Sequence, residues 1–155
     1  MFPRAVEKFF ISSGQEGVII NPNNKAQMSN QIQNSNVKKV YDLVERTANF
    51  GENIIEFVRI LPMTPINKPL ISQVVRSATS IGANYMEADA AESRKDFQHK
   101  IGLCKKEAKE TMHWLRMVAK ANAEQSDICR KLYREVHELT LIFSTIVRNS
   151  KQGKQ

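Results

Sequence analysis

Apolar residues recur at steps of three and four through most of the chain, which is the spacing of a helix face. The first such segment is expected from Val37 to Leu61, with Ser35 or Asn36 as its cap. Val37, Val40, Val44, Thr47, Gly51, Ile54, Val58 and Leu61 form one seam, and Leu43, Phe50 and Phe57 add a second line at heptad spacing. The apolar arc is therefore wider than one bundle stripe requires. Gly51 costs about 1 kcal/mol relative to alanine inside a helix, which a close helix crossing would offset. Pro62 and Pro65 end the segment.

The second helix should open at Asn67 or Lys68, with Pro69 in its first turn, and run to about Ala90. It carries two stripes. Ile71, Val74, Ala78, Ile81, Tyr85 and Ala88 form the apolar seam, while Gln73, Ser77, Ser80, Asn84 and Glu87 form a small polar stripe beside it. Small polar residues at that place predict close packing on both flanks, with their hydrogen bonds closed inside protein. The third helix starts at Ser93, where Ser93 and Asp96 make a capping-box pattern, and ends near Ala121. Its seam is Phe97, Ile101, Cys104, Ala108, Thr111, Leu115 and Val118, and its second stripe is Leu103, Glu107, Glu110, Trp114 and Met117. The fourth helix begins at Ser126–Asp127, with Cys129, Leu132, Val136, Leu139, Phe143 and Ile146 as its seam.

Four such segments, short connections and no strand signal predict an all-α, antiparallel up-down-up-down four-helix bundle over 37–150. Residues 1–36 lack periodicity and are rich in Asn and Gln, so they are expected to be a flexible polar tail. Met28 is a candidate true start of translation, and residues 151–155 are a basic, fraying end.

Composition adds charge to this picture. A net charge of +7 and a pI near 9.5 favour an acidic partner. Lys105, Lys109, Arg116 and Lys120 share one face of the third helix, with Lys106 nearby, and Arg130, Lys131 and Arg134 lie on the first turns of the fourth. These are the candidate RNA-binding residues, through phosphate contacts. None of them is aromatic, so base-specific readout has no support from sequence. A second candidate set, a structural polar network or subunit interface, comprises Arg76, Ser77, Ser80, Asn84, Glu87, Glu107, Glu110 and Trp114. There Arg76 and Asn84 are expected to pair with the carboxylates, within the bundle or across subunits.

Other chemistry is weakly represented. Cys104 and Cys129 sit on apolar heptad positions and read as small hydrophobes. Glu110-x-x-His113 and Asp96-x-x-His99 echo half of a di-iron motif, but they lie on one helix fourteen residues apart, or roughly 21 Å at 1.5 Å per residue. No metal site and no cofactor are expected. No nucleophile–base arrangement or phosphate-binding glycine loop is present, so the chain is not expected to be an enzyme. No apolar run reaches the roughly 18 residues of a membrane span. Phe9–Phe10–Ile11 is too short for a secretory h-region, so a cytoplasmic protein is expected, with no membrane partner.

Three stretches together resemble a known family: Arg76-Ser77-Ala78-Thr79-Ser80-Ile81-Gly82-Ala83-Asn84-Tyr85-Met86-Glu87-Ala88, then Ser93-x-x-Asp96-Phe97-x-x-Lys100-Ile101, then Lys106-Glu107-Ala108-x-Glu110-Thr111-x-x-Trp114-Leu115. The sequence is similar to the 23S rRNA-intervening-sequence proteins over roughly residues 38 to 150. The resemblance implies a short bundle that assembles into a homopentameric ring, with no enzymatic activity. Some members are encoded within insertions in bacterial 23S rRNA genes, and a related retroelement accessory subunit is a basic pentamer that binds a reverse transcriptase and RNA. The expected function is a non-enzymatic, homo-oligomeric scaffold with a basic surface for structured RNA or an RNA–protein complex. The alternative is a protein-only assembly module.

Overall fold

The computed structural model describes residues 42–152. The expected polar tail, Met28, the start of the first helix at Val37 and residues 153–155 lie outside them. Helix α1 runs Leu43–Arg59, α2 Asn67–Asp89, α3 Arg94–Ala121 and α4 Ser126–Gln152, with one 3-10 turn at Ala123–Gln125 before α4. No strand occurs among the described residues.

The helix boundaries follow from local chemistry. Asp42 has an extended backbone (φ −70°, ψ 92°), and its carboxylate accepts the Glu45 N–H at 3.1 Å. That is an N-cap for α1, whereas Ser35 and Asn36 lie outside the described residues. Thr64 prepares α2: its hydroxyl accepts the Asn67 N–H at 3.1 Å and its carbonyl accepts the Lys68 N–H at 3.0 Å. At α3 the Ser93 hydroxyl accepts the Asp96 N–H at 3.1 Å, the first half of the capping box. α4 continues through Lys151 and Gln152, two residues expected to fray.

Successive helices pack antiparallel. The start of α1 meets the end of α2 where Gly82 lies against Thr47, and Gly51 lies against Thr79. Glu87 near the end of α2 pairs with Lys100 near the start of α3. Arg94 at the start of α3 donates through Nε to the Ser150 carbonyl, at 2.9 Å, near the end of α4. Arg46 of α1 reaches α4, donating from Nε to Glu135 at 2.6 Å and from Nη2 to Glu138 at 2.8 Å. These pairings make the bundle up-down-up-down.

The core is the sum of the four seams. Phe50, Ile54, Val74, Ile81, Ile101, Leu115, Leu139 and Phe143 are all fully buried. Burying each such side chain contributes about 1.5–3 kcal/mol relative to exposure. The second apolar line of α1 turns inward: Leu43, Phe50 and Phe57 are buried, while Val44 and Val58 are half-buried. The wide arc of α1 is thus used within one chain, and it is not itself surplus surface.

One buried polar element was missed by the periodicity. Asn67 and Asn122, both nearly inaccessible, exchange side-chain amide bonds at 2.8 and 3.0 Å. Asn67 also donates to the Pro62 carbonyl and Asn122 to the Val118 carbonyl, both at 2.9 Å. The pair ties the start of α2 to the end of α3.

Two outcomes check this packing. Replacing Asn67 by Ala should cost about 1–3 kcal/mol, because the Asn122 amide is left buried without its partner. In urea titrations at fixed protein concentration, an Asn67→Leu, Asn122→Leu double variant should lose less than the two single losses summed. At Gly51 an added Cβ would meet Thr79 Cγ2 at 3.6 Å and Thr79 Cα at 3.7 Å, ordinary contacts. Gly51→Ala should therefore gain up to about 1 kcal/mol from helix propensity. Gly51→Leu should lose about 1–3 kcal/mol from overpacking against the α2 backbone.

Candidate nucleic-acid interface

Helical geometry gathers the basic residues. At 100° per residue, Lys105, Lys109, Arg116 and Lys120 fall within an arc of about 60° on α3, and Lys106 lies at its edge. Lys106, Lys109, Arg116 and Lys120 are exposed and Lys105 is half-buried. Arg130, Lys131 and Arg134 are exposed on α4.

The two helices meet along a groove of about 320 Å³ lined by Leu115, Arg116, Ala119, Ser126, Cys129, Arg130 and Tyr133. Arg116 and Arg130 therefore share one site, although Arg130 also pairs with Asp127 at 3.2 Å. Arg116 has no ion pair among the described residues. Tyr133 is the aromatic that the sequence reading did not place here. It packs half-buried against the core beside both arginines. Its signal in the sequence was weak, because its nearness to Arg116 is a contact between helices that no single-helix period encodes.

The second candidate set divides. Ser77 and Thr111 are buried, with their hydroxyl oxygens 2.9 Å apart, and Thr111 also donates to the Glu107 carbonyl at 2.8 Å. Ser80 supplies its carbonyl to the Asn84 amide of the same helix at 2.8 Å. Glu87 pairs with Lys100, and Glu110 accepts the Trp114 indole N–H at 3.2 Å. The His113 ring meets the Trp114 ring edge-on, with centroids 4.9 Å apart. Within one chain, Arg76 is exposed and Asn84 binds a carbonyl. The expected intrachain pairing of these two with the carboxylates is therefore replaced by Lys100–Glu87 and Trp114–Glu110. The reason is reach: Asn84 is satisfied one turn back on its own helix, and Lys100 faces Glu87 across the α2/α3 contact.

Both cysteine thiols are buried, and Cys104 Sγ lies 3.6 Å from the Ile81 carbonyl oxygen. Burial pushes the Cys104 thiol up to about 12 and the Cys129 thiol up to about 11. Among the described residues no three His, Cys, Asp or Glu side chains lie close enough to hold a metal ion. No described helix is long and apolar enough to cross a membrane.

An all-α four-helix bundle is the class of protein that this geometry defines. The chain belongs to the 23S rRNA-intervening sequence protein family, whose model matches residues 39–144. It is also similar to a solved structure from Bacteroides thetaiotaomicron, described as a protein of unknown function from the S23 ribosomal protein family. The identity is 28%, the TM-score is 0.60, and the match covers 68% of this chain and 97% of that one. No curated protein sequence matches the chain significantly.

The buried thiols set a pH dependence. The unfolded thiols ionise near their ordinary value of 9.0, whereas the folded ones hold their protons to about 11 and about 12. Their contribution to stability is fully present below pH 9 and is lost as pH rises toward 11 and 12. Urea midpoints should fall on going from pH 8.5 to 10.5, and a Cys104→Ala, Cys129→Ala variant should fall less steeply. Thiol reagents should modify neither cysteine until the chain is unfolded.

Proposed function

We propose that the chain is a non-enzymatic scaffold that assembles with itself into a homopentameric ring and holds structured RNA, alone or within an RNA–protein complex, on its basic α3/α4 face. The observation that carries this reading is that the α3 arc of Lys105, Lys109, Arg116 and Lys120 adjoins α4 at a groove where Arg116 meets Arg130. The carboxylates of the same helices lie mostly to the sides. Glu110 is held by the Trp114 indole of its own helix, and Glu135 and Glu138 are drawn to Arg46 of α1. The face is left predominantly positive, as phosphate binding requires. Repetition around a ring would make it multivalent, so that modest single-site affinities combine. The family name and the ribosomal designation of the similar structure agree with a ribonucleic acid context.

The protein-only assembly reading has its own support. A second groove of about 260 Å³ runs between α1 and α2, lined by Ala48, Gly51, Ile55, Gly82, Ala83 and Met86 among others. Met86 is 56% exposed there. An apolar groove of small residues suits a partner polypeptide. In the RNA reading, that groove and the half-buried Trp114 and Met117 flank serve subunit contacts.

Salt separates the two readings. Binding of a structured RNA should weaken steeply as salt rises, because phosphate contacts release counterions. Reversal of Lys105, Lys109, Arg116 and Lys120 to Glu should abolish it, with the oligomeric mass unchanged. Absence of binding by the wild type at low salt would remove RNA and leave the assembly module.

A further inference from the structure

The basic face is not uniform. Along most of α3 it offers only flexible cations, which suit phosphates of any strand. At the α3/α4 groove it adds an apolar floor and an aromatic side chain. Leu115 and Cys129 are 1% and 2% exposed and form the floor with Ala119. Tyr133 is half-buried against it. Arg116 and Arg130, both exposed, stand at the rim. The groove, at about 320 Å³, reaches the size at which small-ligand sites begin.

Resting on the RNA reading above, we infer that this groove takes one unpaired nucleotide of a single-stranded RNA segment, with its base against the Tyr133 ring and its flanking phosphates on Arg116 and Arg130. The combination of surfaces selects the occupant. A paired duplex keeps its base faces stacked inside the helix and presents only backbone, so it would leave the ring and the floor uncovered. An unpaired base brings a flat π-face for Tyr133 and an apolar surface for the floor, together with the phosphates that the guanidinium groups favour. A second copy of the same face would bring its own Arg116, Lys120, Arg130 and Arg134, and like charges would oppose it. An acidic peptide would satisfy the arginines but has no base face for the ring. Nothing in the groove reads base identity, so the site is one for unpaired strand and not for a sequence.

The test uses the full chain with two probes, a short oligouridine and a blunt RNA duplex of equal length, each titrated over a salt series. Tyr133→Leu, which keeps an apolar side chain and removes the ring, should weaken oligouridine binding about tenfold. It should leave duplex binding and the salt slope of both probes unchanged. Tyr133→Phe should bind both probes like the wild type. Arg116→Gln with Arg130→Gln should flatten the oligouridine salt slope by about one to two units. On the wild type, 5-bromouridine in the oligouridine should photo-cross-link to Tyr133, a result that needs no variant to fold.

Wild-type affinity in Tyr133→Leu, with cross-links elsewhere, would overturn the nucleotide site and leave the basic-face reading intact. Failure of the wild type to bind either probe at low salt would overturn both. Displacement of oligouridine by polyglutamate at equal charge concentration would assign the groove to acidic peptide and overturn the inference. So would self-association that Tyr133→Leu abolishes.

Discussion

The close contact between α2 and α3 is the constraint on which the rest of the bundle depends. Small side chains meet there: Ser77 and Ala78 on α2 face Cys104, Ala108 and Thr111 on α3, and all five are at most 1% exposed. Small residues let two helices approach closely, and close approach leaves no room for water to satisfy a hydroxyl. The Ser77 and Thr111 hydroxyls therefore serve each other, and the Cys104 thiol lies against the Ile81 carbonyl. No buried side-chain nitrogen or oxygen among the described residues is left without a partner. Near one end of this contact the Asn67–Asn122 amide pair fixes register, and near the other Glu87 and Lys100 close it. A slip by one residue would break the buried pairs, each at a cost of about 1–3 kcal/mol.

That contact also decides which faces remain available. With one side of α3 held against α2 and another against α4, Lys109, Arg116 and Lys120 are left exposed. α4 brings Arg130 to the groove that Arg116 lines, while its acidic residues Glu135 and Glu138 engage Arg46 of α1. Charge separation on the surface is thus a consequence of core packing. The same packing closes the cysteines away from solvent, so thiol chemistry plays no part in the surface.

Much of this was legible in the sequence, because helix seams and core positions follow a period that can be read directly. Phe97 to Val118 on α3 and Cys129 to Phe143 on α4 bury much as their spacing requires. The exceptions are informative. Asp42 caps α1 through its extended backbone and its side-chain bond to the Glu45 N–H, a local detail that periodicity does not carry. Asn67 and Asn122 look like exposed helix ends, and only their meeting across two helices makes them core. Tyr133 is next to the seam residue Leu132 in sequence, but its neighbours in space include Arg116 and Arg130. The face was legible as charge; its groove was not, because it belongs to two helices at once. Within the chain, Asn84 bonds the Ser80 carbonyl and not a carboxylate, for a related reason: periodicity gives the side of a helix and not the partner within reach.

Assembly and RNA binding by one particle form the central claim, and native mass spectrometry of the full chain, alone and with a structured RNA, reads both at once. The expected result is a pentamer that gains the mass of bound RNA without losing subunits. A monomer that gains no RNA mass would contradict it.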